Sequence, residues 1–247
     1  MHNKYQNLKI YDPEKLVKNS KDIFFIEMVK IREELLNQYL NKNYKVVDLC
    51  CGAGAYFENI INFTDDIIAV DNTERYLEYI NINYPNIKTL LTDASDLSQV
   101  TDKTVDLVFC YSSLYYIEGI ENVLKEIKRV LKKDGTGILE FGNKYSINAL
   151  ISKQFEKSES WAKSYPISYK EIITILSKKL NFKIVEKRHF QITSYYGSIK
   201  KFSIMNFVSH PFLQKFFCFK IKNKMIDEWI SSLLPHLSFK KIIVVKS

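Results

Sequence analysis

Proline and glycine are scarce in this chain, with 5 and 7 in 247 residues. That excludes collagen, Pro-rich stalks and Gly/Ser spacers. Cysteine is scarce as well. Cys50 and Cys51 are neighbours, and Cys110 and Cys218 lie far away. Neither Cys-x-x-Cys nor a Cys/His ligand spacing occurs, so no metal site is expected. No apolar run reaches the ~18 residues of a membrane span. The first 20 residues are polar and Lys-rich, without the apolar stretch of a secretory signal. The expectation is a reduced, cytoplasmic protein.

Acidic residues are scarce in one region only. Residues 151–247 hold 6 of them against 18 Lys/Arg, whereas residues 1–150 hold 22 against 18. The basic half either keeps the protein soluble or faces an anionic partner: a phosphorylated small molecule, a nucleic acid or an anionic membrane. No five-residue Lys/Arg run exists, so the field is diffuse. Aromatics are plentiful, with 16 Phe, 16 Tyr and 2 Trp. That fits a pocket-forming or interface-forming protein and not a disordered one.

The chain reads as strands alternating with helices. Apolar residues from Ile23 to Leu40 recur at roughly helical spacing. Short β-branched runs follow at Lys45–Cys50, Asp66–Asp71, Ile87–Leu91, Val105–Cys110 and Thr136–Phe141. Helices are expected between them at Ala55–Asn62, Thr73–Asn83 and Gly119–Lys133, the last closed by Asp134-Gly135. Ser168–Lys179 reads as a helix, Phe182–Phe190 as a sixth strand and Pro211–Leu234 as one long helix. Phe239–Lys246 reads as a final strand. The pattern predicts an α/β, doubly wound, Rossmann-like sheet. Residues 1–43 are expected to form a helical lid and residues 191–237 a helical cap. Residues 44–190 and 238–247 would make the main domain.

The chemistry-bearing residues fall at the carboxyl ends of successive strands, where open α/β sheets bind ligands. Strand 1 carries Asp48 and runs into Cys51-Gly52-Ala53-Gly54. Glycines at such a turn let a ligand approach the backbone. Strand 2 ends in Asp71, 19 residues after Gly52, where a carboxylate can accept both hydroxyls of a ribose. Strand 3 ends in Asp93-Ala94, where an acid can accept from an adenine amino group. Strand 4 ends in Cys110-Tyr111-Ser112. Each feature alone is weak, because a strand-end Asp is more often a helix cap than a ligand. Four in order, at the spacing one nucleoside needs, are stronger. A dinucleotide fits poorly, since Phe57 stands where the third Gly of Gly-x-Gly-x-x-Gly belongs. Asp48 would also repel a pyrophosphate, whereas it suits a ligand bearing an ammonium and a sulfonium.

These segments resemble the class I S-adenosylmethionine-dependent methyltransferases. VVDLCCGAGAY (46–56) is similar to their first motif, IIAVDNTERYL (67–77) to the second and LLTDASDL (90–97) to the third. VDLVFCYSSLYYI (105–117) and VLKEIKRVLKKDGTGILEFGN (123–143) follow the same pattern. The resemblance implies a seven-stranded sheet of order 3-2-1-4-5-7-6 with the last strand antiparallel. It implies S-adenosyl-L-methionine as cofactor. Asp48, Gly52 and Gly54 would surround its methionine portion, Asp71 the ribose, and Asp93 and Ala94 the adenine. Tyr111 would sit near the activated methyl, with Asn72 and Cys110 as further contacts. The chain departs from the family at Cys50, which stands at the first Gly of Gly-x-Gly-x-Gly.

The acceptor is read by exclusion. No Asn/Asp-Pro-Pro-aromatic follows strand 4, no Pro-Cys occurs, and only Glu118 lies where arginine methylation needs a Glu pair. Strand 4 also lacks the terminal Asp of a catechol-type magnesium site. His189, Tyr115 and His210 are the candidate catalytic groups; either histidine reads more readily as a structural residue, and Tyr115 as readily stacks in the pocket wall. Glu140 could reach the crevice or pair with a Lys. The expectation is O-methylation of a small anionic metabolite. The alternatives are an RNA methyltransferase using the basic half, or a non-catalytic cofactor-binding scaffold. The 211–234 segment, apolar with interspersed lysines, reads as core packing, a substrate tunnel or a peripheral membrane patch.

Overall fold

A computed structural model describes residues 23–146, 149, 163–192 and 211–247. Helix α1 (Ile23–Tyr39) precedes strand β1 (Val46–Leu49), helix α2 (Phe57–Ile60) and strand β2 (Ile67–Asp71). Helix α3 (Glu74–Asn83), strand β3 (Lys88–Leu91) and strand β4 (Val105–Cys110) follow. Next come helix α4 (Ile120–Val130) and strand β5 (Leu131–Gly142). Helix α5 (Tyr169–Ile173) continues as a π-helical turn, Thr174–Lys179, into strand β6 (Lys183–Phe190). Helix α6 (Pro211–Cys218), strands β7 (Lys220–Ile221) and β8 (Lys224–Met225), helix α7 (Ile226–Leu233) and strand β9 (Lys240–Lys246) complete the order.

Seven strands form one sheet in the order β3-β2-β1-β4-β5-β9-β6. Strands β1 to β5 pair in parallel, and β9 runs antiparallel to both β5 and β6. The order matches the sequence expectation, with β9 as the seventh strand. Parallel strands are covered on both faces, so they read as unbroken apolar runs. Every residue of β1 and β2 is buried. One face packs against α4, whose Ile120, Val123, Leu124, Ile127 and Val130 are all buried. The other face packs against α1 through Phe24, Met28, Ile31, Leu35 and Leu36. Sequential strands run outward from β1 to β3, and the chain then returns to β4 on the other side of β1. The ligand crevice of such a sheet lies at this reversal.

Three expected elements differ in the structure. The regular part of the first crossover helix shrinks to Phe57–Ile60, because Gly52 and Gly54 hold φ of +53° and +77° and keep the chain in turns. The fifth strand starts at Leu131 and not at Thr136. Asp134 (φ 63°) lets residues 132–135 loop out while the register with β4 resumes at Thr136. The long helix expected over Pro211–Leu234 is broken. Lys222 and Asn223 adopt φ of 50° and 62°, the left-handed pair of a tight hairpin turn, and β7-β8 separates α6 from α7. Helical periodicity on both sides of that turn hid the break. Among the described residues, no helix is long and apolar enough to cross a membrane.

Helix α1 is tied to the sheet by charge as well as by apolar contact. Arg32 forks onto the Glu140 carboxylate of β5, Nε to Oε2 at 2.8 Å and Nη2 to Oε1 at 3.0 Å. Lys240 of β9 donates to the same carboxylate at 2.6 Å. Burial pushes Glu140 up, but Arg32 and Lys240 outweigh it and hold the acid down to about 2. In the unfolded chain it returns towards the usual 4.5. A depressed folded value stabilises above the unfolded value and is lost as pH falls. Stability is therefore expected to decline between about pH 4.5 and pH 2, by up to about 3 kcal/mol from this group. Acid denaturation of the wild type and of Glu140→Gln checks this. The variant should be less stable at neutral pH and should lose less between those pH values.

Candidate functional site

The carboxyl edge at β1, β2 and β3 gathers four of the expected residues around one cavity. Cys50, Val70, Asp71, Asn72, Thr92, Asp93, Ala94 and Ile117 line it, and its volume is about 60 Å³. Asp71 holds the floor: its carboxylate accepts from the Gly52 N–H at 3.0 Å and the Thr73 N–H at 2.9 Å. Burial pushes the Asp71 carboxyl up, against the backbone donors that pull it down. It therefore caps a turn, and a carboxylate has lone pairs for further donors. Asp93 is exposed, and its Oδ1 accepts from the Ser95 N–H and hydroxyl at 2.8 and 2.6 Å. Thr92 and Ile117 were missed by sequence reasoning. Both are ordinary residues whose role comes only from sitting beside a strand-end acid.

The glycine turn is built for close approach. A Cβ on Gly52 would meet nothing within 4 Å, so space is open above the backbone there. Gly54 is different: a Cβ would strike the Phe57 ring at 2.3 Å, so Phe57 occupies the room a third glycine would leave. Cys50 carries φ 60°, a left-handed conformation that favours glycine. The departure from the family pattern thus falls where backbone strain is held. Cys110 is fully buried, and burial, with the neighbouring Cys50, pushes its thiol well up.

Asp48 is buried at the end of β1, and burial, with the charge of Asp71 beside it, raises its pKa well above the usual carboxylate range. Two acids thus lie close together at this edge of the sheet, and Asp71 lines the cavity. A ligand with cationic groups would relieve their repulsion, whereas a pyrophosphate would add to it. Open space above Gly52, the crowded carboxylates and the Asp71–Asp93 pair fit S-adenosylmethionine.

The β4 end forms the other wall. Tyr111 is buried; its hydroxyl donates to the Arg32 carbonyl at 3.1 Å and its ring meets Tyr56 at 5.3 Å. Burial pushes Tyr56 up to about 12 and Tyr111 well up. Arg32 Nη2 donates to the Ser112 hydroxyl at 2.6 Å, so the Arg32–Glu140–Lys240 cluster abuts this wall. Tyr115 packs on Tyr116 and Phe239, with Lys240 Nζ 5.5 Å from its ring. Glu140 therefore pairs with a Lys, as one sequence reading held, and also with Arg32. Nothing in the spacing of Arg32 pointed to it; one buried Arg on an apolar helix face was the available signal.

His189 is not brought to this crevice. It lies on edge strand β6 opposite Lys241, its ring edge-on to Tyr169 at 5.1 Å. Burial, with Lys241, Lys187 and His236 nearby, pushes it down to about 3, so it stays neutral. His210 lies outside the described residues. Among the described residues no group of three or more His, Cys, Asp or Glu could hold a metal ion.

Residues 47–139 match the family model described as a methyltransferase domain. Among curated proteins, the chain is similar to sterol 4-C-methyltransferase strm-1 of Caenorhabditis elegans. Identity is 29% over 106 residues, covering 40% of this chain and 31% of that protein. It is also similar to the ubiquinone/menaquinone biosynthesis C-methyltransferase UbiE of Campylobacter jejuni, at 26% over 124 residues, covering 45% and 51%. The chain thus spans a third to a half of the length of these relatives. A SAM-dependent methyltransferase from Archaeoglobus fulgidus shares the fold at TM-score 0.60 and 21% identity, covering 95% of this chain and 97% of that one. An S-adenosylmethionine-dependent methyltransferase from Mesorhizobium loti does so at TM-score 0.60 and 13% identity, covering 87% and 96%.

Two outcomes are expected. Because Cys50 sits in a left-handed conformation, Cys50→Gly should raise thermal stability by about 1 kcal/mol, a difference that denaturant titration can read. A cationic ligand favours the ionised form of Asp48, whose pKa burial raises, so S-adenosylmethionine affinity should rise with pH across the range in which Asp48 titrates, with proton release on binding over that range. Calorimetry in buffers of different ionisation enthalpy measures that release, and Asp48→Asn should abolish it.

Proposed function

From the match of residues 47–139 to the methyltransferase-domain family model, we propose that this chain transfers a methyl group from S-adenosylmethionine to an ionisable oxygen of a small acceptor. The observation that supports this reading is the cavity lined by Asp71, Asn72, Asp93 and Ala94, with the Gly52 N–H bonded to Asp71 and Asp48 within reach of the Asp71 charge. Asp71 would accept the ribose hydroxyls, Asp93 and Ala94 would border the adenine, and Asp48 would face the cationic end. S-adenosylmethionine, when bound, supplies an electrophilic methyl on a sulfonium.

The chain's own contribution is position and field. Methyl transfer is an in-line displacement that gains mainly from orientation. Glu140 neutralises one of its two cationic partners, leaving one excess positive charge at the β4–β5 end. That charge favours an acceptor bearing a carboxylate, a phenolate or a similar oxyanion. An acceptor oxygen ionised by this field would give its proton to solvent and its lone pair to the methyl carbon, forming the C–O bond as the methyl's C–S bond breaks and the cofactor leaves as the neutral thioether. No histidine base is required, which agrees with the place of His189. The buried, touching rings of Tyr56 and Tyr111 would help exclude water from the transfer.

Asp71→Asn should lower cofactor affinity about tenfold, since losing one charged hydrogen bond is worth ~1.5–3 kcal/mol. Titration calorimetry of S-adenosylmethionine on the two proteins reads this, and equal affinities would restrict Asp71 to capping its turn. Incubating the protein with labelled cofactor and a panel of small phenols and carboxylic acids should yield O-methyl products. Products methylated at carbon would overturn the oxygen assignment while leaving the cofactor site intact.

A further inference from the structure

The segment that follows α6 carries a surface the crevice does not explain. Fourteen large apolar residues are exposed among the described residues, and eight of them lie between Phe212 and Leu237. On α6, Phe212, Lys215, Phe216 and then Phe219 recur at helical spacing, and all four are exposed. The outward face of this helix is therefore apolar, the reverse of a helix in water. On α7, Trp229 and Leu233 lie one turn apart and are 43% and 79% exposed. The hairpin joins the two helices: Trp229 Nε1 donates to the Ile221 carbonyl at 3.2 Å, and Lys224 Nζ sits 5.7 Å from the Trp229 ring.

The charge of this unit is sorted. Its two acids point inward: Asp227 accepts from the N–H groups of Gln191 and Ile192, and Glu228 forks onto Arg188 of β6. Its lysines stay outside. Lys215, Lys222 and Lys224 are exposed, and Lys220 reaches Glu27 of α1. The exposed ionised groups of the α6–hairpin–α7 unit are thus all positive, set among phenylalanine, tryptophan and leucine. Large exposed apolar patches mark interaction sites. Aromatics with interspersed lysines suit the boundary between acyl chains and headgroups: rings enter the interface while lysine stems lie along it and their ammonium groups meet lipid phosphates.

We propose that this unit docks the protein onto an anionic lipid surface. The sorted charge favours a bilayer over an apolar protein partner, because each lysine near an anionic leaflet adds attraction without needing a complementary shape. The proposal goes beyond the methyl-transfer reading and is tested without it.

The test is flotation of the full chain with vesicles of phosphatidylcholine alone and of phosphatidylcholine mixed with phosphatidylglycerol. Phe216→Ser, Phe219→Ser and Leu233→Ser replace exposed apolar side chains, so the combined variant should fold, with circular dichroism and unaltered S-adenosylmethionine affinity as the control. The wild type should float with the anionic vesicles, should be released by salt, and should float poorly with phosphatidylcholine. The combined variant should lose at least about tenfold in partitioning. Failure to bind anionic vesicles would overturn the proposal, as would binding that the combined variant retains. A wild-type dimer in sedimentation that the variant dissolves would assign the patch to a second copy instead.

Discussion

One buried carboxylate organises much of this molecule. Glu140 sits inside β5 with none of its surface exposed, and a lone charge there would be costly. Arg32 and Lys240 supply two cations, and each reaches in from a different part of the chain. Arg32 fixes the axial position of α1 across the sheet. Lys240 fixes the start of β9, the strand that closes the sheet against β6. Ser112, also in the left-handed region (φ 58°), is held by the same guanidinium at the point where β4 gives way to its loop. The β4 wall of the crevice and the helix above it are thus set by one ionic cluster. Losing one partner would leave its neighbours buried and unpaired, which typically costs ~3–5 kcal/mol.

That constraint also divides the crevice electrically. The β1–β3 side is acidic, with Asp48 and Asp71 crowded together. The β4–β5 side carries an excess positive charge. On the proposed reading, a cationic methyl donor and an anionic methyl acceptor would be drawn to opposite sides of this edge of the sheet. The arrangement follows from topology: the acids sit at the ends of strands left of the chain reversal, and the cations arrive from a helix and from the strand inserted next to β5.

Much of the fold was legible because its strands are buried on both faces and its helices on one. Val-Val-Asp-Leu and Ile-Ile-Ala-Val-Asp can hardly be anything but central strands. The strand-end acids were legible for the same reason, since the end of a strand is fixed by the end of its apolar run. The hairpin at Lys222-Asn223 was not, because its turn carries no glycine and the flanking segments keep helical spacing. Arg32 was not, because its partner is 108 residues away and no local pattern announces so distant a pair. His189 is the converse case: it lies near the end of a strand, as the acids do, but that strand is at the far edge of the sheet.

The central claim is that the acidic side of the crevice holds the nucleoside of S-adenosylmethionine. A crystal structure of the chain with S-adenosylhomocysteine tests it most directly. The account predicts the ribose hydroxyls on Asp71, the adenine edge towards Asp93 and Ala94, and the backbone of Gly52 against the ligand. A nucleoside bound elsewhere on the sheet, with Asp71 making only its bonds to Gly52 and Thr73, would contradict it.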